Sequence, residues 1–180
     1  MRILAGDTAA VVVDIQEKFT DIIYKFDKIL AGTKVLMAGL NILEVPMIVT
    51  EQYPSGLGIT IPEIQELLVE YKPIEKLAFS CCGSEEFCSA LEASGRKNVI
   101  VFGIETHVCV LQTVIDLIET GYQPVVVEDC VSSRKKSDRK TALKRMRQEG
   151  AILTSYESIL FELSRTAGTD KFKQISKLVK

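Results

Sequence analysis

Residues 98–130, NVIVFGIETHVCVLQTVIDLIETGYQPVVVEDC, decide the fold. They open on a β-branched apolar run, NVIVFGIE (98–105), and close on a second, QPVVVEDC (123–130). Both have the composition of strands covered on two faces. The segment between them reads as a helix, so the unit is strand, crossover helix, strand, the connection that makes two strands parallel.

The same alternation continues outward in both directions. Towards the N-terminus, AAVVVDI (9–15) is nearly all apolar and stops at Asp14, Gln16 and Glu17, while VPMIVTEQ (45–52) supplies a second run. A helix between them sets Leu36, Leu40 and Leu43 on one face. KPIEKLAFS (72–80) is the weakest of the runs; only its first half is expected in the sheet, with Lys76 near its carboxyl end. Towards the C-terminus comes AILTSYES (151–158), preceded by a helical stretch with Asp138 near its start and Gly150 as its stop, and followed by the helical SILFELS (158–164). EQYPSGLGITIPE (51–63) reads as a long loop after the second strand, where such sheets carry ligand-binding connections. The expectation is an α/β protein with a three-layer α/β/α, Rossmann-like arrangement. Its six-stranded parallel sheet has the order 3-2-1-4-5-6, and residues 1–180 form one domain.

Composition excludes several functions. With 47% hydrophobic residues and a net charge of -2, the chain can bury a good core and has no global attraction for nucleic acid or anionic membrane. Its apolar runs fall short of a bilayer span. The N-terminal residues lack the small-residue cleavage site of a signal peptide. Five cysteines, at positions 81, 82, 88, 109 and 130, show neither an even count nor paired zinc-ligand spacing. A soluble protein with reduced thiols is therefore expected in the cytoplasm. No G-x-G-x-x-G follows the first strand, which disfavours a nicotinamide dinucleotide cofactor, and no other cofactor is expected.

Function in a doubly wound sheet gathers at the carboxyl ends of strands, where Asp14, Lys76 and Cys109 all fall. With Thr106 as cap, Cys109 takes the third position of its helix, where free N–H groups and the helix dipole favour a thiolate. Lys76 nearby would lower the thiol pKa further. Asp14 is suited to take the thiol proton and return it to a leaving amine. Taken singly, each residue is ordinary: a helical cysteine is commonly core, an aspartate at a strand end commonly a cap, and a lysine there commonly solvated.

In order and spacing, VVVDIQEKF (11–19), EKLAFSCC (75–82) and GIETHVCV (103–110) resemble the Asp, Lys and Cys motifs of the isochorismatase-like cysteine hydrolases. TEQYPSGLG (50–58) and SSRKKSDRKTALKRM (132–146) resemble the isochorismatase-domain-containing branch. The resemblance implies a catalytic triad: Asp14 as general acid and base, Lys76 as electrostatic support, and Cys109 as the nucleophile that attacks a carbonyl carbon. It also implies a cis peptide between Ile104 and Glu105, with the N–H groups of Glu105 and Cys109 forming an oxyanion hole. Gln16, Phe19, Gln52, Tyr53, Phe79, Cys81, Ile104, Thr106 and His107 are candidate pocket residues. The implied reaction is hydrolysis of a C–N bond, of amide type, in a small molecule, by a homo-oligomer.

Departures from relatives narrow this. Nicotinamidases of this fold hold a metal with an aspartate and two histidines after the second strand, whereas this chain has EQYPSGLG there and a single histidine, His107. No metal is expected, and His107 reads as pocket wall or surface. True isochorismatases lack the nucleophilic cysteine. Cys81 and Cys82 read as pocket lining or oxidation-sensitive bystanders, Cys88 and Cys130 as structural. One rival reading is a catalytically idle scaffold. Another rests on residues 132–147, which hold eight Lys or Arg against one Asp. A solvated helix face explains that segment better than a specific nucleic-acid site, because aromatic interleaving and a binding motif are both absent.

Overall fold

A computed structural model describes residues 1–180. Its sheet has six parallel strands in the order β3-β2-β1-β4-β5-β6, as the sequence leads one to expect. The strands are β1 (Thr8–Val13), β2 (Met47–Gln52), β3 (Ile74–Lys76), β4 (Asn98–Ile104), β5 (Gln123–Ser132) and β6 (Ile152–Thr154). Every residue of β1 and β4 is buried, because these central strands are covered on both faces. Around them the buried side chains form a core cluster of 43 residues.

Eight α-helices flank the sheet or lie in its loops. They are α1 (Phe26–Ile42), α2 (Pro54–Leu57), α3 (Pro62–Gln65), α4 (Glu85–Ala93), α5 (Leu111–Glu119), α6 (Lys136–Glu149), α7 (Tyr156–Ser164) and α8 (Asp170–Leu178). Leu36 and Leu40 of α1 are wholly buried and Leu43 nearly so, as their spacing predicts. Gly150, in left-handed geometry, stops α6.

Three local expectations are corrected. The 51–63 segment is no open loop: Pro54 and Pro62 start the short helices α2 and α3, each using proline where its missing N–H costs nothing. The sixth strand is only Ile152–Thr154, since Ser155 caps α7 by accepting from the N–H of Ser158. Strand β5 runs past Cys130 to Ser132, with a register shift against β4 between Val101 and Gly103. This irregularity carries residues 131–134 over the carboxyl end of β4.

The segment after β1 is tied to the β2 loop. Gln16 donates from Nε2 to the carbonyls of Gln52 (3.0 Å) and Gly58 (2.6 Å), and its Oε1 accepts from the N–H of Gln52 (2.8 Å). An antiparallel bridge between Gln16 and Thr60 completes the tie.

Candidate functional site

β1 and β4 are neighbours, so the residues that follow them, Asp14 and Glu105, emerge side by side at the carboxyl edge of the sheet. Asp14 has a left-handed backbone (φ 50°), which lifts its side chain out of the strand's alternation. It is wholly buried. Its Oδ2 lies 2.7 Å from Lys76 Nζ, and its Oδ1 accepts a 2.7 Å hydrogen bond from the hydroxyl of Thr50.

Lys76 ends the edge strand β3, yet its side chain is only 1% exposed. Besides Asp14, its ammonium donates to Gln52 Oε1 (2.9 Å) and to the Phe79 carbonyl (3.0 Å). Burial pulls the ammonium pKa down, but the negative charge of Asp14 at 2.7 Å outweighs it, and the net direction is upward. Lys76 stays cationic. For Asp14 the balance tips the other way: burial raises its pKa by more than Lys76 and Thr50 lower it. The result is a carboxylate with an unusual appetite for a proton.

Cys109 follows β4 in a π-helical turn, Thr106–Val110, that leads into α5. Here two expectations fail. Glu105, not Thr106, holds the cap position, and the buried Thr106 hydroxyl has no hydrogen-bond partner at all. The thiol is also no ready thiolate. Burial first, and the adjacent Asp14 charge second, push its pKa well above the ordinary cysteine value, and Lys76 only partly opposes them. The resting state is a thiol beside a carboxylate.

The Ile104–Glu105 peptide is cis. The Glu105 N–H donates to no acceptor within the chain, while its carboxylate binds Arg134 Nε at 2.9 Å. Just before it, Gly103 has φ 124°, and a side-chain carbon there would strike the Val13 carbonyl, so only glycine fits.

The remaining candidates fall into three groups. Gln16, Gln52, Ile104 and Thr106 are buried around the Asp14 cluster. Cys81 joins them: its Sγ is 3.6 Å from the Thr50 hydroxyl, its N–H donates to Thr113 Oγ1 (2.9 Å), and burial together with the Asp14 charge pushes its thiol up to about 11. Tyr53 and Phe79 are more than half exposed, and Phe19 is partly buried against the core. His107 is at the rim, with Nδ1 2.9 Å from Ser133 Oγ and Nε2 3.9 Å from Asp138. Cys88 is exposed and Cys130 buried.

Sequence reasoning missed Thr50. Its signal was faint: a hydroxyl directly after the apolar run of β2, paired in register with Val13, one residue before Asp14. A cavity of about 520 Å³ lined by residues such as Pro46, Met47 and Ile74 lies at the amino ends of β2 and β3 and touches none of the cluster.

Comparison with known proteins bears on this arrangement. Residues 8–158 match the isochorismatase domain family. The chain is 41% identical to the secreted isochorismatase effector Isc1 of Phytophthora sojae, over 99% of this chain and 87% of that protein. A solved structure described as the MAR1 ribonuclease of Caenorhabditis elegans is 44% identical and superposes with a TM-score of 0.94, over 99% of this chain and 92% of that one. The Escherichia coli YcaC protein, described as an octameric hydrolase of unknown specificity, is 25% identical with a TM-score of 0.92, over 99% and 90% of the two chains.

Proposed function

The chain belongs to the isochorismatase family, and from that premise we propose that it hydrolyses a C–N bond of amide type in a small molecule through a covalent intermediate on Cys109. The observation that carries this reading is the buried cluster in which Asp14 is gripped by Lys76 and Thr50 and adjoins the Cys109 thiol.

The pKa directions define the roles. Asp14 takes the Cys109 proton as the sulfur attacks the carbonyl carbon, so no free thiolate need accumulate beforehand. Lys76, held cationic, fixes Asp14 and offsets negative charge in the cluster. The tetrahedral oxyanion is met by the N–H groups of Glu105 and Cys109. Collapse expels the amine, which leaves with the proton from Asp14, and the acyl group remains as a thioester on Cys109. Water, deprotonated by Asp14, then attacks the thioester; the acid departs and the thiol is restored.

Exposed Tyr53 and Leu77 line one cavity outside Lys76, and Phe79 is exposed nearby in the chain. These three exposed apolar side chains and the octameric E. coli relative support a homo-oligomer. Five free cysteines support a reducing compartment such as the cytoplasm, although the Phytophthora relative is described as secreted. No helix is long and apolar enough to cross a membrane.

The C. elegans relative favours a second reading, phosphodiester hydrolysis of RNA. One experiment separates the two. Wild type, Cys109→Ala and Asp14→Asn are incubated with a panel of small amides and, in parallel, with single-stranded RNA, and the protein is followed by intact mass. Amide turnover with a transient acyl adduct, absent in both variants, is expected. RNA cleavage that survives Cys109→Ala, without amide turnover, would overturn the proposal.

A further inference from the structure

Beyond the Asp14 cluster, one cavity carries an electrostatic pattern that the hydrolytic reading does not use. Its volume is about 200 Å³, and Tyr24, Lys25, Lys28, Ser132, Lys136 and Arg139 line it together with Ile29. Four of these seven are cations and none is an acid. None of the four takes part in an ion pair anywhere in the structure.

The surroundings add to the positive potential. Lys25 sits at the cap position of α1 and Lys136 at the first position of α6, and neither helix has a side-chain cap to satisfy its leading N–H groups. Cations crowd the positive ends of two helix dipoles, the opposite of the stabilising arrangement. The first-turn acids do not relieve this: Asp138 is turned towards His107, and Asp27 does not line the cavity. The whole chain has a net charge of -2, so the excess is local.

The site is also partly pre-organised. Arg139 is fixed by hydrogen bonds from its guanidinium to the backbone carbonyls of Val131 (2.9 Å) and Glu128. The buried Ser132 hydroxyl is held by the Tyr24 carbonyl (2.7 Å), which binds the two walls together. We infer that this cavity binds a phosphoryl group. A tetrahedral anion with several acceptor oxygens matches a planar guanidinium and three ammonium groups set around one small cavity, as a single carboxylate does not. The group arrives either on a small molecule or as part of a nucleic-acid backbone; Arg139 also lines a neighbouring groove with Lys140, Lys144 and Arg147, four cations against the single acid Glu128, along which a longer polyanion would run.

Calorimetric titration of the full chain with inorganic pyrophosphate at low salt tests the inference. Wild type should bind, and Lys28→Gln with Lys136→Gln should weaken binding roughly tenfold or more. Lys72→Gln with Lys97→Gln, which removes equal charge at the amino ends of the strands, should leave it unchanged. All four lysines are exposed, so both variants should fold, which circular dichroism checks. Competition by a single-stranded oligonucleotide that is lost in the Lys28, Lys136 variant assigns the site to nucleic acid; pyrophosphate binding without such competition assigns it to small phosphates. No wild-type binding at millimolar pyrophosphate, or equal weakening in the two variants, would overturn the inference.

Discussion

Replacing Lys76 with methionine removes the one cation that faces the buried Asp14 carboxylate, while nearly preserving side-chain volume. In the wild type, burial already holds the Asp14 pKa above its ordinary value despite the 2.7 Å contact with Lys76 Nζ. Without that contact only Thr50 and the Cys109 thiol still favour the charged form. Breaking a buried ion pair from one side costs about 3–5 kcal/mol. That loss falls on the charged form of Asp14, so its pKa rises further still. A carboxyl group whose folded pKa lies above its unfolded value binds the proton more tightly when folded. Stability of Lys76→Met is therefore fully retained only below the unfolded carboxylate pKa, and falls as pH rises towards the folded one, by up to about 1.4 kcal/mol per pH unit. Urea denaturation at fixed protein concentration, followed by circular dichroism from pH 5 to pH 8, should show the variant diverging progressively from wild type. Adding Asp14→Asn should recover much of the loss at pH 8. A variant profile parallel to wild type, or a double variant no more stable than the single one, would refute the picture of a charged, desolvated pair.

Three further outcomes are expected. Gly103→Ala should cost several kcal/mol, because the new methyl group meets the Val13 carbonyl and the backbone is left-handed; thermal denaturation checks this, and a near-native melting temperature would refute it. Brief iodoacetamide treatment at neutral pH should label exposed Cys88 before Cys109, whose thiol is kept protonated by burial and by Asp14; peptide mass spectrometry ranks them, and fastest labelling at Cys109 would mean the thiolate is already formed. Thr50→Val removes a hydrogen bond to a charged group, worth about 1.5–3 kcal/mol, and so should raise the Asp14 pKa further. The acid limb of the pH–rate profile on any amide found should move up accordingly, whereas a uniform loss of rate at all pH values would indicate a merely structural role.

Much of this was legible because strand content and strand order depend on strong, local signals. β1, β4 and β5 are apolar and β-branched, and a crossover helix admits few arrangements. Asp14, Lys76 and Cys109 could be located because a strand's carboxyl end is marked by the point where its apolar run stops. The protonation state of Cys109 was not legible. Sequence places it near a helix start, which favours the anion, but burial and the Asp14 charge act through space and reverse the direction. The Thr106 expectation failed for a related reason: capping depends on backbone geometry, and the π turn carries the Thr106 hydroxyl inward, where it finds no partner. Thr50 and the Gln16 tie escaped notice because cross-strand register, which no single segment encodes, brings them to Asp14 and Gln52.

Lys76 is the last residue of a three-residue strand at the margin of the sheet, and its ammonium gathers Asp14, Gln52 and Phe79 around one atom. A strand as short as any in the sheet, paired on one side alone, thus supplies the group on which Asp14 depends. Fraying of β3 alone would free that ammonium while β1, β4 and β5 stayed paired. The threshold for losing chemistry then lies below the threshold for losing the fold. In rising denaturant, turnover should vanish ahead of the circular dichroism signal, and the amide protons of residues 74–76 should exchange through a smaller opening than those of β1.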